Sequence, residues 1–494
     1  MNKKIIFPML SVLVLAGCTK PAAPAMESEE LAHYISGMTL KGLDNVRGNM
    51  YLPEEVEGLP ITWSCDQPGI INCEADGDIA PGSVTRPSQD TTVHLTASIK
   101  KDGKVGKYTQ EVTVKGLARE LTDDDYVGYL LVTFTGENSG ANGEQVYMSL
   151  APEGAGFNFQ SLNGNQPILS SIASEKGVRD PFVYRSPEGD RFFIIATDLK
   201  VNNRPEGGWS QTSKGYTYPT VNGKHTLILW ETEDLTDWGE PKYIDVAPKN
   251  AGMAWAPEMT WHEETGQYVI FWSSCIIDDL SLPDNQKTKV KGDAVYYTTT
   301  RDFEHFGETK LFIDNQKDGV PANSNHPDGR NIIDATCTKI GDHYYAITKD
   351  GDNPDADGGI RIFKSDDILD YTAWEKVLDL DELGLDPTGS GARLNNGTEE
   401  FTNRTLEGPA LFQFNKCDWE DPNKPEWCIM GDRYNAGSGY LPFSTTDIED
   451  TTGDAWSIYP SSKFSWGNGG KRHGSVLKLT KEEAAAIGAK WLAA

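Results

Sequence analysis

Only seven of the 494 residues are cysteine and eight histidine, and no CxxC pair or His–Cys cluster marks out a zinc site. Basic residues are also scarce: 45 Lys and Arg stand against 74 Asp and Glu, a formal net charge of −29. That excess repels nucleic-acid phosphates, excluding such partners and leaving a solvated acidic surface. The apolar run from Ile5 to Leu15 is too short for a membrane helix.

What is present begins with Lys3-Lys4, that short apolar run and the small residues Ala16-Gly17, the pattern of a secretory signal. Leu15-Ala16-Gly17-Cys18 resembles the bacterial lipobox. The resemblance implies cleavage before Cys18, lipid on that thiol, a tether up to residue 26 and a place in the bacterial cell envelope. Six cysteines then remain for an oxidising compartment. Cys65 with Cys73 closes a small loop, Cys417 with Cys428 staples a hairpin, and Cys275 and Cys337 are left as the third pair.

The 13 Trp, 19 Tyr, 17 Phe, 49 Gly and 27 Pro suit an all-β protein of many short, aromatic-rich strands. Residues 27–118 read as a separate unit, with Ile61-Thr62-Trp63 and the alternating Val93–Ile99 and Tyr108–Val114 as strands of a small β-sandwich. It resembles the atypical immunoglobulin-like domains that precede secreted glycosidases, which implies a spacer; Trp63 leaves sugar binding open.

From 119 to 494 one phrase recurs. An apolar strand, a turn and a second strand start at Asp180-Pro181, Ala256-Pro257, Asp334-Ala335 and Gly408-Pro409, a step of about 75 residues. Each is followed by a second hairpin, as His225–Trp230 is to the first. A fifth hairpin, around Gln145–Ser149, lacks its inner strand, while Arg472–Leu477 is an inner strand with little chain after it. The two fragments complete each other, giving a five-bladed β-propeller closed by its C-terminal strand.

The first strand of each blade lines the channel, so Asp180, Ala256, Asp334, Glu407 and His473 converge at one mouth. Three carboxylates there raise one another's proton affinity, which is costly without a task. Glycoside hydrolysis uses such a set: one carboxyl protonates the leaving oxygen, another activates water.

At Arg179-Asp180-Pro181, Trp255-Ala256-Pro257-Glu258, Ile333-Asp334-Ala335, Leu406-Glu407-Gly408-Pro409 and Arg472-His473-Gly474 the chain resembles glycoside hydrolase family 43. The resemblance implies an inverting glycosidase with Asp180 as general base, Glu407 as general acid and Asp334 tuning Glu407. It also implies carboxyls roughly 6.5–9.5 Å apart. Ala335 stands where the family often has proline. His473 is where the family often holds a central calcium or sodium ion, directly or through water. Glu258 is read as blade packing. Trp255, Trp209, Tyr434 and Trp466 offer flat faces to a sugar, and Arg433 a hydroxyl contact.

The expected function is an exo-acting α-L-arabinofuranosidase on side chains of plant or algal polysaccharide, a monomer with no cofactor for its chemistry. The alternatives are a β-xylosidase or galactan-active enzyme of the same family, and a non-catalytic glycan-binding lipoprotein. A retaining fructosidase would need an upstream Asn-Asp-Pro motif, which the sequence lacks.

Overall fold

The structure, a computed structural model, describes residues 26–492 apart from 39, 118, 137–139, 202–216, 284–285, 317–321, 323–325, 351–358, 384, 386–405 and 434–438. The signal, Cys18, Trp209 and Tyr434 therefore lie outside the described residues.

In the N-terminal unit, strict alternation makes one face of Thr91–Lys101: Val93, Leu95, Ala97 and Ile99 are buried while their neighbours face outward. This strand sits in a five-stranded sheet between Lys104–Val114 and Leu59–Cys65, with Met26–Glu27 and Glu55–Val56 at the edges. The opposing layer is slight. A two-stranded ladder, Ile71–Asn72 with Ser83–Val84, is joined by the helix Glu29–Ser36, which the sequence did not suggest. Ser28 caps that helix, and Leu31 and Ile35 bury against the sheet. Trp63 is part of this core and donates Nε1–H to Pro53 O at 2.8 Å, so it offers no sugar platform.

All but two of the remaining strands form five four-stranded antiparallel sheets; Phe157–Asn158 and Phe464–Ser465 make a short parallel pair. Blades I to IV begin with the inner strands Arg179–Arg185, Trp255–His262, Ile332–Ile340 and Glu407–Gln413. In blade V the inner strand is the C-terminal Arg472–Thr480, which pairs with Tyr126–Phe134 from the start of the domain. Adjacent inner strands pack together around the ring, V against I included. The expected closure is thus formed, and no blade is left with an open inner edge.

The apolar side chains divide the same way. Five clusters fill the five gaps between neighbouring blades, a modular core rather than one central core. After the closing strand, the helix Lys481–Trp491 has a Thr480–Glu483 capping box and lays Ala484 and Ile487 on the V–I cluster.

The expected disulfides are not formed: Cys65, Cys73, Cys275, Cys337, Cys417 and Cys428 are free thiols. Cys275 packs with Met253 and Ile277, whereas Cys337 lies in the cluster between blades II and III. Cys428 is buried among the aromatics between blades IV and V, while Cys417 is exposed. Cys65 Sγ turns to Gln67 O at 3.5 Å.

Candidate active site

Each inner strand slips register with its neighbour at its first residues, a β-bulge repeated in all five blades. In blades I to IV the bulge residue has a left-handed backbone: Asp180 (φ 50°), Ala256 (48°), Asp334 (53°) and Gly408 (55°). For a residue with a Cβ this costs about 1–2 kcal/mol, so the fold holds Asp180 and Asp334 under strain that aims them into the mouth. Gly408 is required twice over: beyond its φ, a Cβ there would come within 2.4 Å of the His473 ring.

The second strand of each blade supplies a partner at a fixed register. Thr197, Ser273, Lys349, Asp432 and Phe134 pair with Arg179, Trp255, Ile333, Glu407 and Arg472. Three of them accept the N–H at the bulge of the next blade. Thr197 Oγ1 takes Ala256 N–H (2.7 Å), Ser273 Oγ takes Asp334 N–H (3.1 Å) and Asp432 Oδ2 takes His473 N–H (3.2 Å). Lys349 has no lone pair to offer when charged. At that step Gly408 N–H goes instead to Asp334 Oδ2 at 3.1 Å, so a side chain in the mouth does the work of the missing acceptor.

Asp180, Asp334 and His473 meet as expected. His473 Nδ1 is 3.4 Å from Asp180 Oδ1 and 3.9 Å from Asp334 Oδ2, and Thr197 Oγ1 donates to Asp180 Oδ2 at 2.9 Å. Burial alone would raise the Asp180 carboxyl, but the His473 contact, Arg179 and Thr197 outweigh it and hold it below the usual range. Asp334 is raised, by burial and by the charge of Asp180. Burial alone would lower His473, yet Asp180, Asp334 and Glu258 push it up to about 9, making it an imidazolium at neutral pH.

Glu407 sits one residue before its bulge, in register with Trp255 and Ile333. Its carboxyl is pushed up to about 7 by burial and the charges of Asp334 and Asp432, against Arg472 and His473. Arg472 joins the two carboxylates, Nη2 on Glu407 Oε1 at 2.6 Å and Nε on Asp432 Oδ2 at 2.7 Å. Phe134 lies beneath both flanking arginines, with Arg179 4.6 Å and Arg472 5.5 Å from its centroid.

Glu258, read from sequence as packing, is fully buried beside Asp334 and His473, and burial holds its carboxyl well above the usual range. Trp255 lies at the mouth against the Met253–Cys275–Ile277 cluster. Arg433 turns Nε to Gly439 O (3.1 Å) and Nη2 to Tyr440 O (3.4 Å), within its own hairpin. Trp466 is core, its Nε1 donating to Tyr440 O at 2.9 Å. Sequence reading missed Thr197, Ser273, Asp432 and Arg472. The signal for the first three was a polar residue at the same place in successive second strands.

Ligation of a metal by His473 needs neutral imidazole, whereas here Nδ1 faces two carboxylates. Among the described residues no group of three or more His, Cys, Asp or Glu is placed to hold an ion. A cage built from protein side chains does not fit this mouth, and no step below passes through an ion.

Two carboxyls of opposed proton affinity at the mouth of a five-bladed propeller are the equipment of a glycoside hydrolase. The chain belongs to the family 43-related glycoside hydrolases: the family described as a probable glycosyl hydrolase domain matches residues 124–485, and an atrophied bacterial Ig domain matches residues 29–117. The chain is 32% identical over 408 residues to an alpha-L-arabinofuranosidase of Bifidobacterium longum subsp. longum, covering 78% of this chain and 34% of that protein. The chain thus spans about a third of that relative's length. Among solved structures, the alpha-L-arabinanase of Cellvibrio cellulosa complexed with arabinohexaose aligns with a TM-score of 0.40 at 11% identity, over 71% of this chain and 100% of that one. The alpha-L-arabinofuranosidase of Lactobacillus brevis aligns with a TM-score of 0.34 at 13% identity, over 57% and 72%. The propeller assignment rests on the strand order given above.

Proposed function

We propose that the chain is an inverting, exo-acting α-L-arabinofuranosidase that removes side chains from plant or algal polysaccharide. The observation that carries this reading is the split between Asp180, held below the usual carboxylate range, and Glu407, pushed up to about 7. Near neutral pH Asp180 is ionised and takes a proton from water as that water attacks the anomeric carbon. Glu407 gives its proton to the departing glycosidic oxygen. Asp334 raises Glu407 by its charge and fixes the Gly408 backbone beside it. The arabinose preference is supported by the Bifidobacterium relative.

The test compares Asp180→Asn and Glu407→Gln with the parent on aryl α-L-arabinofuranoside, β-xyloside and β-galactoside. Each variant is expected to lose about 10²–10⁴-fold in kcat/KM on the arabinoside. Full activity in both would sink the site, and a parent faster on xyloside or galactoside would overturn the sugar. NMR of the first-formed anomer tests inversion.

The remaining parts of the reading are a lipid anchor at Cys18 in the cell envelope, domains at 27–118 and 119–494, and a monomer in solution. Mass spectrometry of the mature N-terminus, limited proteolysis and light scattering test them in turn. The calcium or sodium ion expected in the channel is tested by elemental analysis of the purified protein.

A further inference from the structure

The inner strands run from the catalytic mouth to the far face, so the turns after residues 185, 232, 262 and 300 lie opposite the chemistry. The N-terminal domain docks there. Arg47 and Arg86 share Asp190, and Asn49 donates to Gly266 O at 3.0 Å. Between segment 38–53 and these turns is a cavity of about 540 Å³, within the usual range for a small-molecule site.

Its charge is unlike that of the protein. In a chain of net charge −29 the cavity walls carry five Lys and Arg against three acids. Arg47 is paired with Asp190 and Glu233 and Arg191 with Glu231, which leaves Lys41, Lys242 and Arg301 facing Glu304 and Asp302. Glu304 alone serves two lysines, Lys41 at 2.9 Å and Lys242 at 3.4 Å. Arg301, 7% exposed, has no ion pair with any described carboxylate. Four of its five N–H groups go to carbonyls: Nη1 to Met50 (3.2 Å) and Pro81 (2.8 Å), Nη2 to Ala80 (3.0 Å) and Thr265 (3.4 Å). The fifth, on Nε, is buried without a partner. A buried guanidinium lacking an anion is costly, and here burial lowers its proton affinity with nothing opposing it. At the rim, Tyr51 stacks on His305 (centroids 3.9 Å apart, planes at 14°) and remains 37% exposed.

We propose that this interdomain cavity is a non-catalytic site for an acidic saccharide, about one or two sugar rings bearing a carboxylate. The sugar face packs on Tyr51, and the carboxylate answers Lys41 and Lys242, which share the one carboxylate of Glu304. A polysaccharide held there is tethered to the enzyme while the mouth, at the other end of the blades, works elsewhere on it. The proposal rests on the glycosidase class and not on which sugar is cleaved.

The test is calorimetric titration of the full chain with digalacturonate, with arabinobiose as neutral comparator, using the parent, Tyr51→Ala and Lys242→Gln. Digalacturonate is expected to bind the parent in preference to arabinobiose, more weakly at high salt, and about tenfold or more weakly in each variant. Aryl glycoside hydrolysis, measured alongside, stays at the parental rate in both variants. No binding, equal binding of arabinobiose, or undiminished binding in both variants overturns the proposal. So does loss of hydrolysis in step with binding, which would place the acid sugar in the catalytic mouth.

Discussion

Arg472 holds Glu407 by an Nη2–Oε1 contact of 2.6 Å while its Nε, on the same rigid guanidinium, is 2.7 Å from Asp432 Oδ2. Glu407 and Asp432 are also cross-strand partners in blade IV. One cation is therefore divided between two carboxylates, and Asp432, fully buried, takes part of the charge that would otherwise keep Glu407 ionised. This arrangement lets a carboxyl beside an arginine keep its proton near neutral pH.

Removing Asp432's charge tests that division. In Asp432→Asn, Glu407 loses one source of its elevation, so the alkaline limb of the kcat/KM profile moves to lower pH. The expected displacement is about one unit, with a smaller effect on the acid limb. An alkaline limb that does not move would show Asp432 to be structural only.

Arg472→Gln should act with the opposite sign. The group that lowers Glu407 is lost while Asp432 stays, so the alkaline limb moves to higher pH. kcat is expected to fall about 10-fold or more as Glu407 loses its hold. Because the substitution also leaves Asp432 buried without its ion-pair partner, a loss of about 3 kcal/mol in stability is expected by denaturant titration.

The bulge positions give a pair of opposed stability predictions. Gly408→Ala places a Cβ against the His473 ring in a left-handed backbone, and should cost about 2–4 kcal/mol along with most activity. Ala256→Gly, at the equivalent position (φ 48°), relieves strain but adds freedom to the unfolded chain, so its stability should change by less than about 1 kcal/mol. Thermal or chemical denaturation distinguishes the two.

Stability should fall as the solution becomes alkaline. His473 binds its proton more tightly folded, to about pH 9, than its ordinary 6.5, so its contribution is complete below 6.5 and is lost as pH rises through 9. Glu407, raised from 4.5 to about 7, acts in the same direction over a lower window, its contribution fading as pH rises from 4.5 through 7. Asp180, lowered, opposes them only in acid, its stabilisation being lost as pH falls below 3.8. Unfolding free energy measured from pH 5 to 9 is expected to decline across that range. In His473→Gln the decline between pH 7 and 9 should largely disappear.

The propeller is legible in the chain itself, because its information is periodic. Each strand and turn recurs about every 75 residues, and a strand without a partner at one end matches a hairpin without one at the other. It also put Asp180, Asp334, Glu407 and His473 at one mouth, since register within a repeat fixes which end of a strand a residue occupies. Tertiary structure alone decided how those groups are charged. The sequence does not say that Thr197 and Ser273 hold the bulge of the next blade, that Lys349 leaves this duty to Asp334, or that Arg472 is shared between Glu407 and Asp432. Those contacts join residues from different blades, and proton affinity depends on burial and on charges a few ångströms away, which no repeat encodes. The cysteines failed for the same reason: spacing along the chain suggested three pairs, while in space Cys275 and Cys337 pack in different clusters and Cys428 is buried where Cys417 is exposed. Docking of the N-terminal domain onto the far face, with the cavity it encloses, likewise follows from surfaces that meet only once both domains have folded.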